Sequence, residues 1–217
     1  MGNGVSEPLL SELSEFVRSQ TGLHFPRERW ADLERGVEKA AQEFGFEGPE
    51  QCVKWLVSSP LDKSQIEILA GNLTVGESSF FREASAFDVL ESRILPELID
   101  SRRNDRKHIR IWSAGCATGE EPYSLAILLD RITTGSKDWD ITVLATDINP
   151  RFLKRASRGV YREWSFRKTP SWVKERYFKE RDGVYEILPR IKEMVTYSYL
   201  NLVKDAFPSL LNGTNAL

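Results

Sequence analysis

Cysteine is scarce in this chain of 217 residues: there are only Cys52 and Cys116. With no CxxC pair, a disulfide scaffold and a cysteine metal site are both excluded, and the usage fits a reducing cytoplasm. Histidine is just as scarce, and His24 and His108 have no partner at ligand spacing, so no metal site is expected. No window approaches the roughly 18 consecutive apolar residues that a membrane span requires. The N-terminal MGNGVSEPLLSELSEF lacks both the basic start and the apolar core of a secretory signal. Internal repeats and low-complexity tracts are missing too. What is present is a globular balance, 41% hydrophobic and 29% charged with 14 Gly and 10 Pro, which rules out disorder and collagen-like fibre.

No charge of one sign dominates, since the formal net charge is −2, which argues against a general nucleic-acid binder. The distribution is uneven. Residues 1–50 hold five Lys/Arg against ten Asp/Glu, whereas residues 151–181 hold eleven Lys/Arg against Glu163, Glu175 and Glu180. That basic stretch either solvates outer helices or attracts an anionic partner.

Apolar residues recur at helical spacing from Leu9 to Phe46, giving two amphipathic helices broken near Gly22 to Pro26. Two shorter helices follow at Cys52 to Leu56 and Ser64 to Leu69, so residues 1–70 form a small all-helical unit. Another helix is expected over Phe87 to Leu98. The period then changes from 3.6 to 2: His108 to Ser113 and Asp140 to Thr146 are strands, with a helix over Tyr123 to Ile132 between them and another starting at Asn149-Pro150. Residues 157–185 are basic, aromatic and weakly periodic. Tyr185 to Leu188 is a short strand and Met194 to Leu200 a third strand of the sheet. Strand, loop, helix, strand, helix is the pattern of a parallel α/β sheet.

The chemistry concentrates in IRIWSAGCATGEEPYS, residues 109–124. A glycine-containing turn between strand and helix lets backbone approach a ligand closely, and the helix start offers unpaired N–H groups. Asp147 ends the next strand, where a carboxylate in an open parallel sheet points into the crevice beside that loop and can accept ribose hydroxyl protons. The dinucleotide fingerprint G-x-G-x-x-G is absent, and Glu120-Glu121 would repel a phosphate. The pair suits a cationic or hydroxyl-rich ligand such as a sulfonium nucleoside. Upstream, NLTVGESSFFRE (72–83) sets two aromatics beside Arg82. Phe80 and Phe81 are core candidates, and Arg82 is a candidate to hold a carboxylate. Cys116 is a packing residue, with no basic neighbour to activate it.

Taken together and in this order, NLTVGESSFFRE, IWSAGCATGEEPYSLAI, ATDINP, ASRGVY and YLNL resemble the CheR family of chemotaxis receptor methyltransferases. The resemblance implies an α/β fold: a small all-helical N-terminal domain (1–70), then a Rossmann-like class I S-adenosylmethionine methyltransferase domain (71–217) whose sheet is incomplete at the C-terminal side. It implies methylation of glutamate side chains on the cytoplasmic helical domain of chemoreceptors, giving glutamyl methyl esters and S-adenosylhomocysteine. No nucleic acid and no membrane insertion are expected. By position, Ser78, Arg82, Ala114, Gly115, Glu120, Glu121, Asp147, Asn201 and Leu202 match cofactor contacts, and Arg82 is the residue expected to act in catalysis. Basic residues of the N-terminal helices, here Arg27, Arg29, Arg35 and Lys39, have a receptor-facing role in the family.

Two departures stand out. Gly76 replaces an Asn common in the family, removing one side-chain hydrogen bond to the cofactor. The chain also stops before an L-C-R-N-type strand and before the small β-subdomain expected beyond Leu217. A non-catalytic cofactor- or receptor-binding fragment and another class I methyltransferase are the alternative readings.

Overall fold

The computed structural model describes residues 4–102, 107–133 and 138–205. They fall into two compact units. One holds the chain up to Val75 together with Ile148–Pro150 and the stretch from Leu200. The other holds Gly76–Asp147 and Arg151–Tyr199.

The first unit is built on four helices, α1 (Glu7–Thr21), α2 (Trp30–Phe44), α3 (Pro49–Ser58) and α4 (Lys63–Leu73). Each shows an apolar stripe inward, because residues three and four apart share a helix face. Leu13, Val17, Leu33, Val37, Cys52, Leu56 and Leu69 are fully buried there. Asp62 starts α4 with a capping box: its side chain accepts from Gln65 N while Gln65 Oε1 accepts from Asp62 N. Two distant pieces of chain are tied in by side-chain amides. Asn149 Nδ2 donates to Thr74 Oγ1 and Asn201 Nδ2 to the Gln20 carbonyl, both at 2.8 Å.

The second unit opens with α5 (Ala84–Val89), which passes through a π turn (Leu90–Ile94) into α6 (Leu95–Arg102), longer than the helix expected over 87–98. Then come β1 (His108–Ala114), α7 (Glu120–Ile132), β2 (Asp140–Asp147) and α8 (Pro150–Arg158). The expected α/β class, with a helical N-terminal region and a parallel sheet, is what the structure has. The sheet order is β1-β2-β6, where β6 is Val195–Tyr199, and both pairings are parallel, with Ala114 opposite Thr146 and Asp147 opposite Tyr199. Ile109, Val143 and Ala145 of the strands pack against Ile127, Leu128 and Leu129 of α7 in one buried cluster.

Between α8 and β6 the chain forms a second, antiparallel sheet. Its strands β3 (Val160–Arg162), β4 (Phe178–Arg181) and β5 (Val184–Ile187) take the order β3-β5-β4, with a 3-10 turn (Glu163–Phe166) and α9 (Ser171–Tyr177) in the first connection. A four-residue helix, α10 (Pro189–Lys192), leads into β6. This insertion corrects two expectations. Residues 157–185 contain two strands besides the short one near 185, and a small antiparallel sheet lies inside the chain, whereas the sequence reading put the small β-subdomain beyond Leu217. Strands of three or four residues are too short to establish a period.

Candidate functional site

The loop joining β1 to α7 turns on three residues with left-handed backbone, Gly115 (φ 77°), Ala117 (φ 46°) and Gly119 (φ 95°). Its start is stitched to the end of β2, since Gly115 N and Cys116 N both donate to the Thr146 carbonyl at 2.8 and 2.9 Å. Asp147, the next residue, accepts from Ala117 N through Oδ2 at 2.8 Å. The carboxylate at the tip of β2 and the loop at the tip of β1 therefore hold one another, which the parallel register makes possible.

Ala114, Gly115 and Glu121 are exposed, while Thr118, Gly119 and Glu120 are buried. The acidic pair splits accordingly. Glu121 Oε1 accepts from Ser113 Oγ at 2.6 Å and its side chain stays at the surface of the loop. Glu120, only 2% exposed, accepts from Thr118 Oγ1 at 2.6 Å with one oxygen and from Ser165 Oγ at 3.0 Å with the other. Beneath the loop lie three tyrosines. Tyr161 Oη donates to the Thr118 carbonyl at 3.0 Å and Tyr123 Oη to the Ala156 carbonyl at 3.2 Å. A Cβ on Gly119 would stand 2.7 Å from Tyr161 Oη and 2.8 Å from Tyr197 Oη. Burial pushes the Tyr123 hydroxyl up to about 12. Burial, reinforced by the Asp147 charge, pushes the Cys116 thiol upward too, so it stays protonated and is no nucleophile.

Ser78 is half-buried, and its carbonyl accepts from Arg167 Nη1 at 3.0 Å. Phe80 and Phe81 are core, as expected for paired aromatics in this segment. Arg82 is exposed: its Nη1 donates to the Glu77 carbonyl at 3.1 Å and its Nε lies 3.8 Å from Glu83 Oε1. In place of the missing side chain at Gly76 stands the Phe152 ring, 2.7 Å from where a Cβ would be. Asn201 and Leu202 belong to the first unit. There Asn201 closes a turn, its Oδ1 accepting from Val203 N at 3.1 Å, while Leu202 is 45% exposed. Sequence reasoning missed Thr118, Tyr161, Ser165 and Arg167. Thr118 carried a signal in its place inside the loop and Tyr161 as the last residue of ASRGVY, whereas Ser165 and Arg167 had no motif to mark them.

This donor set fits a sulfonium nucleoside better than a phosphate ligand. Gly115 has nothing within 4 Å of its absent side chain, so backbone there is open to close approach. The neighbouring side-chain groups are carboxylates, which accept from ribose hydroxyls or an ammonium and repel phosphate. Among the described residues no cluster of His, Cys, Asp and Glu is suited to a metal ion. On the basic stretch, Lys154, Arg155, Arg158 and Arg162 are exposed with no ion pair among the described residues, whereas Lys174 pairs with Glu163 at 2.7 Å. In the helical unit, Arg27 pairs with Glu7, and Arg29 and Arg35 with Asp32; these are exposed contacts that leave the cations accessible.

Residues 76–212 match a family model described as CheR methyltransferase, SAM binding domain. A chemotaxis protein methyltransferase of Borreliella burgdorferi is 30% identical over 207 residues, 94% of this chain and 73% of that protein. The protein of the same name from Listeria monocytogenes is 36% identical over 135 residues, 62% of this chain and 49% of its own length. A probable chemotaxis protein methyltransferase of Rhizobium etli is 29% identical over 191 residues, 86% of this chain and 70% of its own.

Proposed function

Because the chain belongs to the CheR methyltransferase family, we propose that it transfers a methyl group from S-adenosylmethionine to glutamate side chains of a chemoreceptor. The observation that carries this reading is the Asp147 carboxylate anchored beside an open glycine loop, with Glu121 at the loop's exposed side. In the proposed site Asp147 takes ribose hydroxyls, Glu121 the methionyl ammonium, and Arg82 the methionyl or receptor carboxylate. Ser78 and the backbone of Ala114 and Gly115 line the cofactor. Glu120, whose two oxygens are engaged internally, acts on this site through the loop.

S-adenosylmethionine, when bound, supplies a methyl carbon activated by its sulfonium. The nucleophile is already charged, since a glutamate carboxylate titrates near 4.3, so the chain needs no general base at neutral pH. Its residues hold the two reactants in line and limit water, effects worth about 7 to 11 kcal/mol at best. The partner is the helical cytoplasmic part of a chemoreceptor. Lys154, Arg155, Arg158 and Arg162, exposed and without an ion pair among the described residues, support attraction of its acidic surface. Two buried, free cysteines support a reducing compartment.

Calorimetry with S-adenosylhomocysteine tests the cofactor half of the reading. Asp147→Ala should weaken binding by about 1.5 to 3 kcal/mol, the range for losing a charged hydrogen-bond partner. Unchanged affinity in a folded variant overturns the assignment. Transfer of labelled methyl groups to receptor fragments, as base-labile esters, tests the other half; labelling that survives base rules out glutamyl esters.

A further inference from the structure

Ser78 and Arg82 lie on a segment, residues 77–82, that belongs to no helix or strand. Its backbone is held mainly from the antiparallel insertion. Phe80 N donates to the Ser165 carbonyl at 2.9 Å, Thr169 Oγ1 to the Phe80 carbonyl at 3.0 Å, and Arg167 Nη1 to the Ser78 carbonyl at 3.0 Å. The Phe80 ring is fully buried against Tyr161, Phe166 and Phe178, at centroid distances of 4.8, 4.9 and 5.1 Å.

The same insertion reaches the glycine loop. Ser165 Oγ donates to Glu120 Oε1 at 3.0 Å, Glu120 Oε2 accepts from Thr118 at 2.6 Å, and Tyr161 Oη donates to the Thr118 carbonyl at 3.0 Å. The circuit closes through α7, where Ser124 Oγ donates to the Glu120 carbonyl at 2.7 Å and accepts from Phe81 N at 3.0 Å. A carboxylate as buried as Glu120 persists only with donors on its oxygens, and bonds to an ionised acceptor are the strong ones. Removing the Ser165 hydroxyl takes one donor away, and Glu120 can recover it only by moving, with Thr118 and the loop attached.

We propose that Ser165 is a positioning residue of the cofactor site: its carbonyl sets segment 77–82 and its hydroxyl, through Glu120, sets loop 115–119, so that the insertion and the cofactor site respond as one. The role rests on the cofactor reading above. Linkage makes it reciprocal, so cofactor binding should also steady the insertion.

The test compares Ser165→Ala and Ser165→Thr in the full chain. Ser165→Ala should weaken S-adenosylhomocysteine binding by about fivefold to tenfold, the effect of one ordinary hydrogen bond, because Ser165 reaches the cofactor only through Glu120 and the loop, while the melting temperature falls by only a few degrees. Ser165→Thr restores the hydroxyl and should restore affinity. Amide exchange at Gly119 and Phe81 should quicken in the alanine variant, with the interior of α7 unchanged. Unaltered affinity and unaltered exchange overturn the proposal, as does faster exchange throughout the unit, which marks general destabilisation. If the unmodified chain fails to bind S-adenosylhomocysteine, the cofactor reading falls, and the positioning role with it. The exchange rates then report only whether Ser165 holds the loop.

Discussion

Gly115 and Gly119 share a left-handed backbone, yet their surroundings differ. A Cβ at Gly115 meets nothing within 4 Å, whereas one at Gly119 meets Tyr161 Oη at 2.7 Å and Ala156 Cβ and Tyr197 Oη at 2.8 Å. Alanine at either position carries the backbone penalty of about 1 to 2 kcal/mol. Only at Gly119 does overpacking add about 1 to 3 kcal/mol more. Denaturant melts of Gly115→Ala and Gly119→Ala should therefore separate by at least about 1 kcal/mol. Equal stabilities would mean that the tyrosine floor yields to a methyl group. The same floor explains the loop's shape: Tyr161 grips the Thr118 carbonyl from below, and Asp147 takes Ala117 N.

At the scale of elements, segment 77–82 is where fold and chemistry compete for one side chain. Arg82 donates to the Glu77 carbonyl within its own segment, and its side chain is 55% exposed. Arg82→Lys keeps the charge and loses the planar fork, so affinity for S-adenosylhomocysteine or turnover should fall roughly tenfold, about 1.4 kcal/mol, with little change in melting temperature. A lower melting temperature with intact affinity would make the carbonyl bond its main role. Elements near the site differ in how far the sequence reveals them. β1 and β2 are legible because alternating and β-branched residues run for seven and eight positions and end at a glycine loop and an acid. β3 and β4, at three and four residues, alternate too briefly and present mostly exposed charge. The Ser165–Glu120 bond spans 45 positions, and a lone serine in a basic, aromatic stretch carries no pattern that points to it. Gly76 shows a similar limit: its missing side chain reads as a lost hydrogen bond, while the Phe152 ring that fills the space shows only in three dimensions.

On the scale of the whole molecule, each unit has its own apolar cluster, and Cys52 sits fully buried in that of the helical unit. Burial raises its thiol from 9.0 to about 11. The folded state therefore keeps the proton longer than the unfolded chain does. Its stabilising contribution is complete below pH 9 and is lost as pH climbs towards 11, at up to about 1.4 kcal/mol per unit. Urea melts at pH 8 and pH 10 should show a loss about 1.4 kcal/mol smaller in Cys52→Ala than in the unmodified chain. Identical losses would mean that the thiol ionises as readily folded as unfolded. The antiparallel insertion has a bearing on how the chain finds its fold. β2 and β6 pair directly, yet residues 148–194 must be closed into a loop before they can do so, and that closure grows costlier with length. β4 and β5 are joined by a two-residue turn, and β3 reaches β5 across residues 163–183, less than half of that span. Once formed they shorten the free chain between the two parallel strands, so the small sheet should form before the large one, and the distant β2–β6 pairing should limit the rate at which the native state is reached.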